Sequence, residues 1–159
     1  MSIDYLLFIE TKESNEAVLR HLSACPGLGV SDVDPPFAEM PGYHITSLPE
    51  DATGKKIMRQ SFDISVDLNV SFTLKKIRVG DRIQFEESFV DYVDVTLELL
   101  RWLPGDALLS YELDSPILLR KLGRLILSEQ RFKDAPPEAL ARFPRPFTLE
   151  PLSYKSAPS

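Results

Sequence analysis

Six carboxylates and a single guanidinium crowd residues 81–98: Asp81, Glu86, Glu87, Asp91, Asp94 and Glu98 against Arg82. That one stretch supplies most of the chain's net charge of −6. On a helix, Glu87, Asp91, Asp94 and Glu98 fall at spacings of three and four and share one face. Like charges so placed cost about 0.2–0.5 kcal/mol per pair. Two arrangements relieve that cost. In one, the four residues form a docking face for a basic protein, which also steers its approach. In the other, the face is solvated and screened by salt and by folded-in cations such as Lys75, Lys76, Arg78 or Arg101.

The remaining reactive side chains point to no catalysis. Glycosidase chemistry needs two carboxyls about 5–9.5 Å apart across a cleft, and one helix face offers no cleft. The two histidines, His21 and His44, read as structural or surface residues. Metal sites need several His, Cys or carboxylate ligands at close spacing, and no such cluster stands out along the chain. Cys25 is the only cysteine, which excludes an intramolecular disulfide. It lies at a helix C-terminus without the positive surroundings that activate a thiolate, and reads as a small core residue. Gly27 and Gly29 follow a helix rather than a strand and lead into no Gly-Lys-Ser/Thr, so they are not a phosphate loop. Arg120, Lys121 and Arg124 at a hairpin tip suit either a phosphate or edge-strand solubility. Trp102 reads as an anchor at the core or its rim. The expectation is therefore no catalytic residue, no metal ligand and no cofactor.

Net negative charge disfavours nucleic acid, which needs Lys and Arg to replace counterions, and equally disfavours anionic lipid. No apolar run approaches the roughly 20 residues of a membrane helix. The start, Met1-Ser2-Ile3-Asp4-Tyr5, lacks the basic and apolar regions of a secretion signal. These features together lead to the expectation of a cytoplasmic protein. A length of 159 residues suits one domain, expected over residues 1–150, with 151–159 a flexible tail.

The elements that must position these groups follow from periodicity. Ile3 to Ile9 is almost continuously apolar and predicts a strand covered on both faces, hence central. Ser14 predicts an N-cap, with Glu16 in the first turn and Val18, Leu22 and Cys25 on the buried side. Residues 26–60 hold five prolines and four glycines; beyond a short edge strand at Tyr43 to Leu48 they predict irregular structure. From Phe62 to Lys75, apolar and polar residues alternate strictly, an antiparallel strand with one wet face. At about 3.4 Å per residue it would outrun a domain of this size, so a break near Asp67 to Asn69 is expected. Asp81 and Gln84 have capping-box spacing and predict a long helix whose buried stripe is Phe85, Phe89, Tyr92, Val93, Thr96, Leu100 and Leu103. Ala107 to Ser128 reads as a three-stranded meander, and Asp134 to Phe143 as one short helix, with Phe143, Phe147 and Leu149 pinning the tail. The predicted class is α+β: a twisted, mainly antiparallel sheet with two helices packed on one face, in the order β-α-β-α-β-β-β.

Within this pattern, Val70-Ser71-Phe72-Thr73-Leu74-Lys75-Lys76 resembles the Val-Ser-Phe-Arg-Leu-Asp-Lys strand of the SitI-type family, departing from it at Thr73 and Lys75. The resemblance continues through the amphipathic helix to Pro104-Gly105-Asp106-Ala107-Leu108-Leu109 and into the hairpin from Ile117 to Leu127; Ile3-Asp4-Tyr5-Leu6-Leu7 also fits. It covers about residues 64 to 128 plus the first strand. These are bacterial immunity proteins paired with swarm-inhibition toxins. The resemblance implies a non-catalytic protein that binds and neutralises a cognate toxin delivered by sibling cells. It carries over no functional residue. Joined to the charge pattern, it gives a basic protein toxin as the expected partner, docked on Glu87, Asp91, Asp94 and Glu98. The alternative is a regulatory or small-ligand-binding module in which residues 26–60 form one wall of an apolar pocket.

Overall fold

Strand β1 (Asp4–Ile9) lies between two antiparallel neighbours, and its successive residues Leu7, Phe8 and Ile9 are all buried. Alternate side chains of a strand point to opposite faces, so a continuous apolar run demands cover on both. The computed structural model, which describes residues 2–85 and 91–155, supplies that cover. After β1 come α1 (Asn15–Ala24), β2 (Ser31–Asp34), β3 (Phe37–Met40), β4 (Tyr43–Pro49) and α2 (Ala52–Phe62). Then follow β5 (Leu68–Leu74), β6 (Lys76–Val79), β7 (Arg82–Phe85) and α3 (Tyr92–Trp102). The meander is β8 (Ala107–Tyr111), β9 (Ser115–Lys121) and β10 (Arg124–Ser128); α4 (Glu129–Phe132), α5 (Pro137–Leu140) and β11 (Phe147–Glu150) complete the chain. The main sheet runs β11-β10-β9-β8-β1-β5-β4-β3-β2. Its pairings are antiparallel apart from β10 with β11.

The two faces of the sheet carry separate cores. On one, α1 (Val18, Leu19, Leu22) and α3 (Val93, Val95, Leu99) pack over Leu7, Ile9, Val70, Phe72 and Leu109. On the other, Met58 and Phe62 of α2, with Ile64 and Val66, cover Phe8, Leu108, Leu119 and Ile126. The α+β class and the mostly antiparallel sheet agree with the sequence reading. Two helices, α1 and α3, do share one face, but the expected helix count is too low: α2 forms a second layer on the opposite face. The expected element order is correspondingly too short. Residues 26–60 hold β2, β3, β4 and α2 rather than an irregular segment. Tyr43–Pro49 is no edge strand either, since it pairs with β3 on one side and β5 on the other.

Other elements stand where periodicity put them. Ser14 caps α1 by accepting from the Ala17 amide at 3.1 Å. The alternating run breaks before Leu68, where β5 begins, and its earlier members Ile64 and Val66 dock under α2. Asp63, in a left-handed conformation, ends α2 and turns the chain into that extended stretch. The segment from 151 to Lys155 is docked on the body of the chain; the rest of the tail expected to be flexible lies outside the described residues. Leu152 is buried, Tyr154 meets Phe62 edge-on and donates to the Ser110 hydroxyl at 2.8 Å, and the Lys155 amide donates to Ser61.

Candidate functional site

Helix α3 begins at Asp91, ten residues later than the Asp81 expectation. The Asp91 carboxylate accepts from the amides of Val93 (2.9 Å) and Asp94 (3.3 Å), and Asp94 reaches back to the Asp91 amide at 3.0 Å. This reciprocal capping box satisfies donors that a helix start leaves unpaired. The same two carboxylates are gripped from outside by Arg142, just beyond α5. Its Nη2 donates to Asp91 at 2.7 Å and to Asp94 at 3.2 Å, and its Nη1 to Asp91 at 3.2 Å.

One turn further on, Glu98 is held on three sides. Arg101 donates to both of its oxygens, at 2.6 and 3.1 Å. His21 Nε2 lies 3.0 Å from Oε1, and the Cys25 thiol donates to Oε1 at 3.3 Å. The Glu98 side chain is only 17% exposed. The Arg101 bonds, outweighing burial, hold its carboxyl down to about 2. Burial, with the Glu98 bond and charge, pushes the Cys25 thiol above its ordinary value. Trp102 stacks on the His21 imidazole with ring centres 4.0 Å apart and planes 7° from parallel.

The expected stripe is therefore resolved into two internally bonded clusters. Asp91 and Asp94 share Arg142; Glu98 has Arg101 and His21. Glu87 lies outside the described residues, as does Phe89. Of the four cations named for screening, Arg101 does serve, while Lys75 pairs with Glu39 at 2.8 Å instead. The sequence could not supply Arg142, which lies 51 and 48 positions from its partners. The proximity of His21, Cys25 and Glu98 was also missed, although His21 and Cys25 stand at i, i+4, a spacing that puts them on one helix face.

A different surface emerges from the stretch read as the start of the long helix. Strands β6 and β7 pair as a separate two-stranded sheet around Gly80-Asp81. Gly80, at φ 62, is in the left-handed region such a turn uses. Ile77, Val79 and Ile83 are exposed here, Ile83 to 70%. Lys76, Arg78 and Arg82 are exposed beside them, so this projection is cationic on a chain that is acidic overall.

A model of the SitI3-like family matches residues 3–135, from the first strand through the meander. The chain belongs to the SitI3-like family. That agrees with the SitI-type resemblance and extends it across β2 to α2. Searches of curated proteins and of solved structures each gave no match. Family membership points to an immunity protein and away from an enzyme.

In this SitI3-like chain, Arg120, one of the three hairpin-tip cations, has a structural post. Arg120 is half-buried and donates to the carbonyls of Gly105 (2.8 and 2.6 Å), Leu100 (2.6 Å) and Leu103. The Leu100 and Leu103 carbonyls end α3, where the dipole is negative and acceptors lack intrahelical donors, and Gly105 lies in the turn that follows. Beside it runs an open groove of about 570 Å³, lined by Leu97, Leu100, Leu125, Arg142 and Phe143 among others. Residues 26–60 do not line it; Gly29, Ser31, Asp32, Glu39, Met40 and Pro41, with Lys75, instead line a separate open hollow of about 530 Å³. Among the described residues, no helix is long and apolar enough to cross a membrane.

Proposed function

We propose that this chain is an immunity protein that neutralises a cognate toxin by occupying it in a non-covalent complex. The observation that carries the proposal is the family match over residues 3–135, which spans most of the chain. The contact core in this reading is the β6–β7 hairpin. Exposed Ile77 and Val79 on one face of the hairpin, and Ile83 on the other, offer apolar area to a partner that takes the hairpin into a recess. A two-stranded sheet also has outer strand edges able to pair with another chain. The toxin surface complementary to it is an apolar recess with carboxylates or carbonyl oxygens at its rim, facing Lys76, Arg78 and Arg82.

The carboxylates Glu87, Asp91, Asp94 and Glu98 take a lesser part. With the chain's net charge of −6 they favour encounter with a toxin that is basic overall. Contact by Asp91, Asp94 or Glu98 would first require loss of Arg142 or Arg101, so each contributes little to the final affinity. The test is growth of cells producing the toxin encoded beside this gene, with and without this chain. Rescue by the wild type, lost on replacing Ile77, Val79 and Ile83 with Ser, supports the proposal. Rescue that survives the triple replacement removes the hairpin from it, and no rescue by the wild type removes the immunity function.

A further inference from the structure

Helices α1 and α3 bring three metal-ligating atoms together on the sheet face they share. Cys25 Sγ lies 3.6 Å from His21 Nε2 and 3.3 Å from Glu98 Oε1, and those two are 3.0 Å apart. A tetrahedral Zn²⁺ with bonds of about 2.0–2.3 Å to N, O and S separates its ligand atoms by roughly 3.3–3.6 Å. The three protein atoms already stand within a few tenths of an ångström of that spacing. We infer that His21, Cys25 and Glu98 form a zinc site with its fourth position open to water.

The surroundings support ligands held ready rather than a chance approach. His21 is fixed in plane by its stack on Trp102. Both His21 and Glu98 retain partial exposure, which leaves a path for the ion and for water. A mixed imidazole, thiolate and carboxylate set favours Zn²⁺ over the hard cations Mg²⁺ and Ca²⁺.

The balance of charge is explicit. On binding, the Cys25 S–H bond breaks and its proton goes to solvent, leaving the thiolate electron pair for the metal. Thiolate and carboxylate then offset the two charges of the ion. Arg101 opposes binding, because its Nη2 donates to the same oxygen, Oε1, at 2.6 Å. Its side chain is 73% exposed and free to release that bond. Arg101→Ala therefore strengthens zinc binding, an effect no purely structural triad would show.

The experiment titrates the purified full chain, stripped of metal, first with Co²⁺ and then with Zn²⁺. Expected are one equivalent bound, the visible bands of tetrahedral Co²⁺ and a thiolate-to-metal charge-transfer band, all abolished by one equivalent of Zn²⁺. Cys25→Ser and His21→Gln weaken zinc at least about tenfold, the scale on which even indirect supports of a metal act. Arg101→Ala tightens it severalfold. The wild-type spectrum decides the matter even where a ligand variant folds poorly. Absence of the charge-transfer band, octahedral Co²⁺ only, or zinc affinity unchanged by Arg101→Ala and Cys25→Ser alike would overturn the inference and leave the triad a set of hydrogen bonds.

Discussion

Arg142 and Asp91 form a two-pronged ion pair, with Nη2 to Oδ1 at 2.7 Å and Nη1 to Oδ2 at 3.2 Å, that clips the segment after α5 to the first turn of α3. Asp91 thereby does two jobs, capping α3 with one oxygen while both accept from the guanidinium. The prediction is an ordered pair of losses. Arg142→Ala, which removes a partly exposed pair, costs about 1–2 kcal/mol. Asp91→Ala also removes the N-cap and costs about 2–3 kcal/mol. Urea unfolding of the two variants checks the order; equal losses would mean that the cap contributes nothing beyond the pair.

Arg120 closes the other end of the same helix. Its burial lowers its pKa, yet its donors meet the carbonyls of Leu100, Leu103 and Gly105. Arg120→Met keeps much of the apolar stem and leaves those carbonyls without their donor. It should cost about 2–4 kcal/mol in urea unfolding. Lys121→Met, a neighbour whose ammonium is near Asp63 and the Phe62 carbonyl, should cost under about 1 kcal/mol.

Glu50 gives the pH prediction. Burial is the main cause raising its carboxyl above the ordinary value of 4.5, against the Asp51 amide bond that lowers it. A raised folded pKa means that the folded state holds a proton which the unfolded state has already lost. Stability contributed by this group is therefore complete below pH 4.5, falls as pH rises from there through the folded pKa, and is level beyond. Glu50→Gln lacks that loss. Urea midpoints of the two proteins should diverge across this window in favour of Gln, and parallel curves would refute the assignment.

The two candidate surfaces separate cleanly in a binding assay. Replacing Ile77, Val79 and Ile83 with Ser should weaken the toxin complex by about 30-fold or more, the cost of losing a hot spot. The combined change Asp91→Asn, Asp94→Asn and Glu98→Gln should alter affinity less than about fivefold, slow association at low salt, and lower stability. The reverse ranking would return the contact to the helix face.

What the sequence made legible was whatever depends on neighbours along the chain. The continuous apolar run of β1, the Ser14 cap and the apolar runs of the meander each encode their own surroundings. In 26–60, strands of four residues are too short for a period to register, and their Pro and Gly residues are the turns between them. At 81–84 a helix start competed with a hairpin turn: Asp81 and Gln84 fit a capping box, yet Gly80-Asp81 joins two strands. Local pairing of Lys76–Val79 with Arg82–Phe85 decided for the hairpin. The charge clusters were illegible for a different reason. Arg142 meets Asp91 and His21 meets Glu98 only through the packing of separate elements, so charge counted along the sequence overstated the free charge on the surface.

Occupancy of the toxin, rather than its transformation, is tested most directly by titrating a fixed amount of purified toxin with this chain and following toxin activity. The account predicts a linear fall to zero with a sharp break at a fixed whole-number ratio, with both proteins unchanged in mass and recovered as one complex. Full neutralisation at a small fraction of an equivalent, or residual toxin activity with the chain in large excess, would contradict it.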